Sequence, residues 1–144
     1  SLLYSDSVRC PSPTEMQSAV SSLLDNTLLT VPALTNVPVF LSVEYLSVED
    51  SASACAKAPD ETCRDHAEFN QGTIVDPDLE VDLLAQAQAL NPLLLEATIR
   101  TEIKGIYIRG YNPSVVLHDK SASIYGKPGR DVVWYWYSRL TGIQ

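Results

Sequence analysis

The chain lacks a run of apolar residues long enough to cross a bilayer. Its longest uncharged stretch, 26–43, has 18 residues, but Pro32, Pro38, Asn26, Asn36 and three threonines interrupt it. A membrane helix needs about 20 mostly apolar residues, so no span is expected. Enzyme signatures are also missing: there is no G-x-S-x-G, Walker A, G-x-G-x-x-G or H-E-x-x-H sequence. Histidine is scarce. His66 and His118 lie far apart in sequence, which leaves acid–base chemistry to carboxylates that no motif places. Bases are few as well, ten against 18 acids for a net charge of −8. A protein devoted to nucleic acid needs a basic footprint on the phosphate backbone, so no nucleic-acid partner is expected. These absences lean away from an enzyme, and no cofactor or catalytic residue is expected.

Cysteine is limited to Cys10, Cys55 and Cys63. An odd count fits one disulfide plus a free thiol, or three thiols. Cys55 and Cys63 flank a polar, turn-rich segment with Pro59 between them, and we expect them to form a disulfide that leaves Cys10 free. Four lysines, 15 serines and a single Met agree with an extracytoplasmic setting (secreted, periplasmic or cell surface), where such a bond persists. The first residue is Ser1 rather than Met, so we expect a processed chain with any signal or anchor upstream.

What is present suits one domain, 1–144, since 144 residues with 45% apolar content can build a core. Ser12-Pro13-Thr14-Glu15 reads as a capping box. Met16, Val20, Leu23 and Leu24 follow on one face of a helix ending near Asp25. Val39 to Val48 reads as a strand, with Val39, Leu41, Val43 and Tyr45 on one side and Phe40, Leu46 and Val48 on the other. Glu49 to Gly72 is a long polar excursion. Asp76-Pro77 reads as the start of a second helix carrying Leu79, Leu83, Ala87 and Leu90, with Asn91-Pro92 as its stop. From Leu95 the period becomes two. Leu95, Ala97, Ile99, Thr101 and Ile103 alternate with Glu96, Thr98, Arg100, Glu102 and Lys104, as on a half-buried strand, and Gly105 marks a bulge or bend. Lys127-Pro128-Gly129-Arg130 has the central Pro-Gly of a type II turn. It would join strands Val115–Tyr125 and Asp131–Leu140 into a hairpin with small residues opposite large aromatics. The fold class that follows is α+β: an antiparallel sheet of about four strands with two helices packed on one face.

Charge is unevenly placed. Residues 44–82 hold 11 acids against Lys57 and Arg64, whereas residues 97–144 hold seven bases against three acids. Asp76-Pro77-Asp78-Leu79-Glu80-Val81-Asp82 has carboxylates enough for calcium. The EF-hand pattern fails, with Val81 in place of its glycine and Ala87 in place of its final glutamate, so acids in a helix's first turns explain it better. Cys63-Arg64-Asp65-His66 supplies one C-x-x-H and no second pair, which is too little for structural zinc, and no metal site is expected. Val132 to Tyr137 is the strongest aromatic signal. On a strand, Trp134 and Trp136 would share one face and Tyr135 and Tyr137 the other, one pair in the core and one outside. Tyr125, Lys127, Arg130, Trp134, Tyr135, Trp136 and Tyr137 are therefore the candidate interaction residues of an aromatic–basic sheet surface. The functional expectation is a non-enzymatic binding or assembly domain that meets a protein partner or a second copy of itself. The competing expectation is a small-molecule-binding or enzymatic α+β cone with a Tyr/Trp-lined pocket between sheet and helices.

Overall fold

The computed structural model describes residues 11–30, 35, 37–49, 56–57, 60, 62–64, 69, 78–113 and 118–143. Helix α1, Pro13–Leu23, starts where its cap predicts. Ser12 Oγ accepts the Glu15 N–H at 3.3 Å, and Glu15 Oε2 accepts the Ser12 N–H at 2.8 Å. The chain then widens into one π-helical turn, Leu24–Leu28, closed by the Leu29 N–H on the Leu24 carbonyl. Met16, Val20 and Leu24 are buried and Leu23 is partly buried against them, so the predicted apolar face is the observed one.

Strand β1, Val39–Val43, is shorter than its apolar run, although the predicted alternation persists beyond it. Leu41, Val43 and Tyr45 enter the main core. Leu46 and Val48 turn into a second cluster with Ala56, Phe69, Leu79 and Ala122, and Phe40 stays exposed. Strands β2, Ala56–Lys57, and β3, Cys63–Arg64, form a short antiparallel ladder inside the polar excursion. Cys10, Cys55, His66 and the Cys63 side chain lie outside the described residues, and the expected disulfide lies there with them.

Helix α2, Leu83–Thr98, corrects two expectations at once. It begins later than Asp76, at the N-cap Asp82, whose Oδ1 accepts the N–H groups of Leu84 at 2.8 Å and Ala85 at 3.0 Å. It then continues through Pro92, where the sequence predicts a stop. An interior proline removes one backbone hydrogen bond and costs about 3 kcal/mol. Leu90, Leu93, Leu94 and Ala97 are all buried around it, and at about 1.5–3 kcal/mol per large side chain their burial outweighs that cost. Residues 95–98 of the expected strand are thus the last turn of a helix, and the strand itself begins only at Ile103. Its predicted outward residue Glu96 is buried, and its predicted inward residue Ile99 is 66% exposed. Arg100 clamps this end of α2 to α1 by pairing with Asp25 at 2.7 Å and with Glu96 at 2.8 Å, and its Nη2 donates to Ser21 Oγ. Burial raises the Glu96 carboxyl, but hydrogen bonds from Arg100 and Gln17 more than offset this and hold it below its ordinary range.

Strand β4, Ile103–Ile108, lies parallel to β1, with Leu41 opposite Ile106 and Val43 opposite Ile108. The register slips between Val39 and Phe40, beside Lys104 and Gly105, where a bend was expected. A parallel pair needs a long crossover, and α2 supplies it. The expected antiparallel sheet of about four strands with two helices on one face is therefore overturned. The described residues give a mixed α/β arrangement of three helices and one sheet of two parallel strands, apart from the small β2–β3 ladder.

The predicted hairpin is also replaced. Pro128-Gly129 opens helix α3, Pro128–Thr141, with Pro128 in its first turn. Gly142 ends it at φ 71°, a left-handed conformation that glycine adopts without strain. Asp131 in the first turn and Arg139 in the last suit the helix dipole. Val133 is buried, with Val132, Trp136 and Tyr137 partly buried against the core. That is helical spacing, and it overrides the strand propensity of a β-branched and aromatic run. No strand occurs among the described residues of 118–127.

Candidate binding surface

Helical geometry divides the aromatic run differently from a strand. Trp136 and Tyr137 face inward: Trp136 Nε1 donates to Asn91 Oδ1 at 2.9 Å, and the Tyr137 hydroxyl donates to the Ile106 carbonyl at 2.7 Å. Burial raises the Tyr137 phenol above its ordinary pKa. Trp134 and Tyr135 face outward, with Trp134 69% exposed. Tyr135 stacks edge-on against Trp136 at 5.3 Å, and the Arg139 guanidinium lies 5.4 Å from the Tyr135 ring centre.

Between α3 and the chain that follows β4 runs an open groove of about 510 Å³. Ile108, Tyr111 and Ile124 form one wall. Val133, Trp134 and Tyr137 form the other, and Arg130 and Ile143 also line it. Tyr111 is held upright by an edge-to-face contact with Tyr125 at 5.3 Å. A second open hollow, of about 580 Å³, lies across Trp134 and is lined by Tyr135, Arg139 and Ile143. Trp134 is the ridge between the two.

The structure thus brings Arg130, Trp134 and Tyr137 to one groove and Tyr135 to its outer flank, with Tyr125 as a brace behind Tyr111. Trp136 is turned toward α2, and Arg130 is exposed and pairs with its neighbour Asp131 at 2.9 Å. Lys127 is elsewhere. It is buried, its Nζ donating to Ser47 Oγ at 2.9 Å and to the Ser121 carbonyl at 2.8 Å and pairing with Asp119 at 3.3 Å. Burial lowers its pKa, and Asp119 opposes the shift only in part. With three acceptors around its ammonium, Lys127 ties the 119–123 loop to the chain after β1.

Beside this knot lies fully buried Gln86. Its Nε2 donates to the carbonyls of Tyr45 at 2.8 Å and Ala122 at 3.1 Å, while its Oε1 faces Gly129 without a hydrogen bond. Together the two side chains fix the base of α3, and with it the angle of the aromatic face. Sequence reasoning missed Ser47 and Gln86, because nothing in their spacing announces contacts made across 36 to 80 residues, and it missed Asp119, whose partner Lys127 reads in the sequence as an exposed turn residue. It also missed Ile108, Ile124 and Ile143, whose role depends on α3 being a helix.

Among the described residues no group of three or more His, Cys, Asp and Glu could hold a metal. Asp82, the last acid of the 76–82 cluster, is a helix cap. No described helix is long and apolar enough to cross a membrane. No family model, curated protein or solved structure matches the chain, so its functional reading rests on this geometry.

Proposed function

We propose that the chain is a non-enzymatic binding domain whose contact surface is the outer aromatic face of α3, and that its partner is a protein, either another chain or a second copy. One observation carries the reading: Trp134, 69% exposed, stands as a ridge between an open apolar groove and a more polar hollow. Large aromatics beside arginines are the residues that anchor protein interfaces, and an exposed apolar patch of this kind marks a contact site.

The competing reading, a small-molecule pocket, draws on the groove's volume of about 510 Å³, which falls in the usual range for ligand sites. Two features favour the protein surface. The groove is open along its length, and its polar groups are turned on the chain itself. The Tyr137 hydroxyl donates to Ile106, Thr141 Oγ1 to the Tyr137 carbonyl, and Arg130 to Asp131. Tyr135 and Tyr137, which a closed cone would place together, lie on different flanks.

The test is titration with 1-anilinonaphthalene-8-sulfonate, an apolar anion, against the native chain and Trp134→Ala. We expect saturable binding that weakens about tenfold in the variant while the melting curve is unchanged. Binding independent of Trp134 would contradict the assignment. An extracytoplasmic setting is part of the proposal, supported by the Cys55–Cys63 spacing and the low lysine content. Peptide mapping without reductant checks it: a Cys55–Cys63 bridge agrees, and three alkylatable thiols do not.

A further inference from the structure

Among the described residues nothing fills the groove, and the same chain carries an exposed apolar residue with acidic neighbours. Leu84, in the first turn of α2, is 58% exposed, although Gln86, Ala87 and Leu90 of the same helix are buried. Acidic residues precede it in the chain and lie on the segment bridged to that stretch. Asp82 caps the helix through the Leu84 and Ala85 N–H groups, and exposed Glu80 follows the bend at Leu79. The Glu49 N–H binds the Glu80 carbonyl, which brings a second exposed acid to the same edge. The result is an apolar knob at the end of an acidic edge, its collar on that side. The groove and the hollow beside it offer the inverse, an apolar floor rimmed by Arg130 and Arg139. Among the described residues Arg130 pairs with its exposed neighbour Asp131, and Arg139 lies over the Tyr135 ring.

The knob and the groove are separate patches. Leu84 is exposed and does not line the groove of its own chain.

We propose that the groove on α3 receives Leu84 and its acidic collar from a second copy of this chain. The inference rests on the reading of α3 as a binding surface and names its occupant. Because knob and groove are different patches, the contact is heterologous, and repetition builds a ring if the rotation closes and an open chain if it does not. Opposite charges at the rim steer the encounter, so association weakens as salt rises.

Sedimentation velocity on the full chain, on Leu84→Asp and on Trp134→Ala tests this. Both side chains are exposed, so unchanged melting curves verify that the variants fold. The native chain should grow in mass with concentration, more at low salt than at high salt. Each variant alone should associate at least about tenfold more weakly. Mixed in equal amounts, the two variants should form a heterodimer and nothing longer. The Leu84→Asp copy keeps its groove, the Trp134→Ala copy keeps its knob, and neither can extend the chain. A mixture that stays monomeric, or a native chain that is monomeric at every concentration, would overturn the proposal. If that monomer still binds 1-anilinonaphthalene-8-sulfonate through Trp134, only the second copy is excluded as occupant. If it does not, the binding surface falls as well.

Discussion

At the residue scale the buried polar groups carry the sharpest consequences. Gly129 has an ordinary helical backbone, so replacing it with Ala would normally add about 1 kcal/mol of helix propensity. Here the new Cβ would sit 2.6 Å from Gln86 Oε1 and 3.2 Å from Cδ. Gln86 is fully buried and held by the carbonyls of Tyr45 and Ala122, so it cannot withdraw without losing those bonds. Gly129→Ala should therefore destabilise the chain by about 1–3 kcal/mol in urea melts, and a gain in stability would show that Gln86 yields. Lys127 makes a prediction about pH. Its folded pKa lies below the ordinary 10.5 because burial disfavours the charge. In the window between the lowered value and 10.5 the unfolded chain holds more protons than the native one, so stability rises with pH. Lys127→Met lacks this contribution and also removes the cation paired with partly buried Asp119 and one donor each from Ser47 Oγ and the Ser121 carbonyl, which should cost about 2–3 kcal/mol at neutral pH. The stability gap between native chain and variant should widen as pH climbs through that window. A gap that narrows would contradict the assignment.

At the scale of elements, Pro92 shows what packing can override. Pro92→Ala restores an N–H inside α2 and should raise stability by about 1 kcal/mol, the regained hydrogen bond exceeding the lost contacts of the buried ring. Destabilisation would mean that the ring itself is what the core requires. Local signals made α1 legible, since Ser12 and Glu15 cap each other and the apolar spacing has only one helical reading. They made β1 legible too, through its alternation. The end of α2 and the whole of α3 were not. In 95–104 a two-residue alternation coincides with helical positions, and only the burial of Glu96 against Gln17 and Arg100 distinguishes them. In 127–140 the Pro-Gly pair serves equally as a turn centre or a helix first turn, and the β-branched and aromatic residues favour the strand. The sign that was available was Asp131, Arg139 and Gly142, acid at the start, base at the end and glycine just beyond, which is the punctuation of a helix. Parallel pairing was legible in principle from the order strand, helix, strand once α2 ran through Pro92. Of the aromatic candidates Trp134 and Tyr137 line one groove, being close in sequence, while Tyr135 lies on its outer flank and Trp136 turns toward α2. Lys127 does not reach the groove, since its burial depends on Ser47 and Asp119 from other parts of the fold.

At the scale of the whole molecule, the acidic 44–82 segment and the basic C-terminal third are two ends of one account. The first places Glu49, Glu80 and Asp82 on the edge that leads into Leu84, and the second puts Arg130 at the groove and Arg139 at the hollow beside it. A net charge of −8 keeps copies apart at long range, so attraction must come from opposed patches at short range. The proposed contact is centred on a single side chain, and that side chain can be watched directly. In a Trp136→Phe background, Trp134 is the only tryptophan, and acrylamide quenching of its fluorescence reports how much of the ring faces water. We expect efficient quenching at low protein concentration, falling as concentration rises and recovering in the presence of added salt. Quenching that is equally efficient at every concentration, with salt or without, would contradict the claim that this face of α3 is where the molecule makes contact with its own kind.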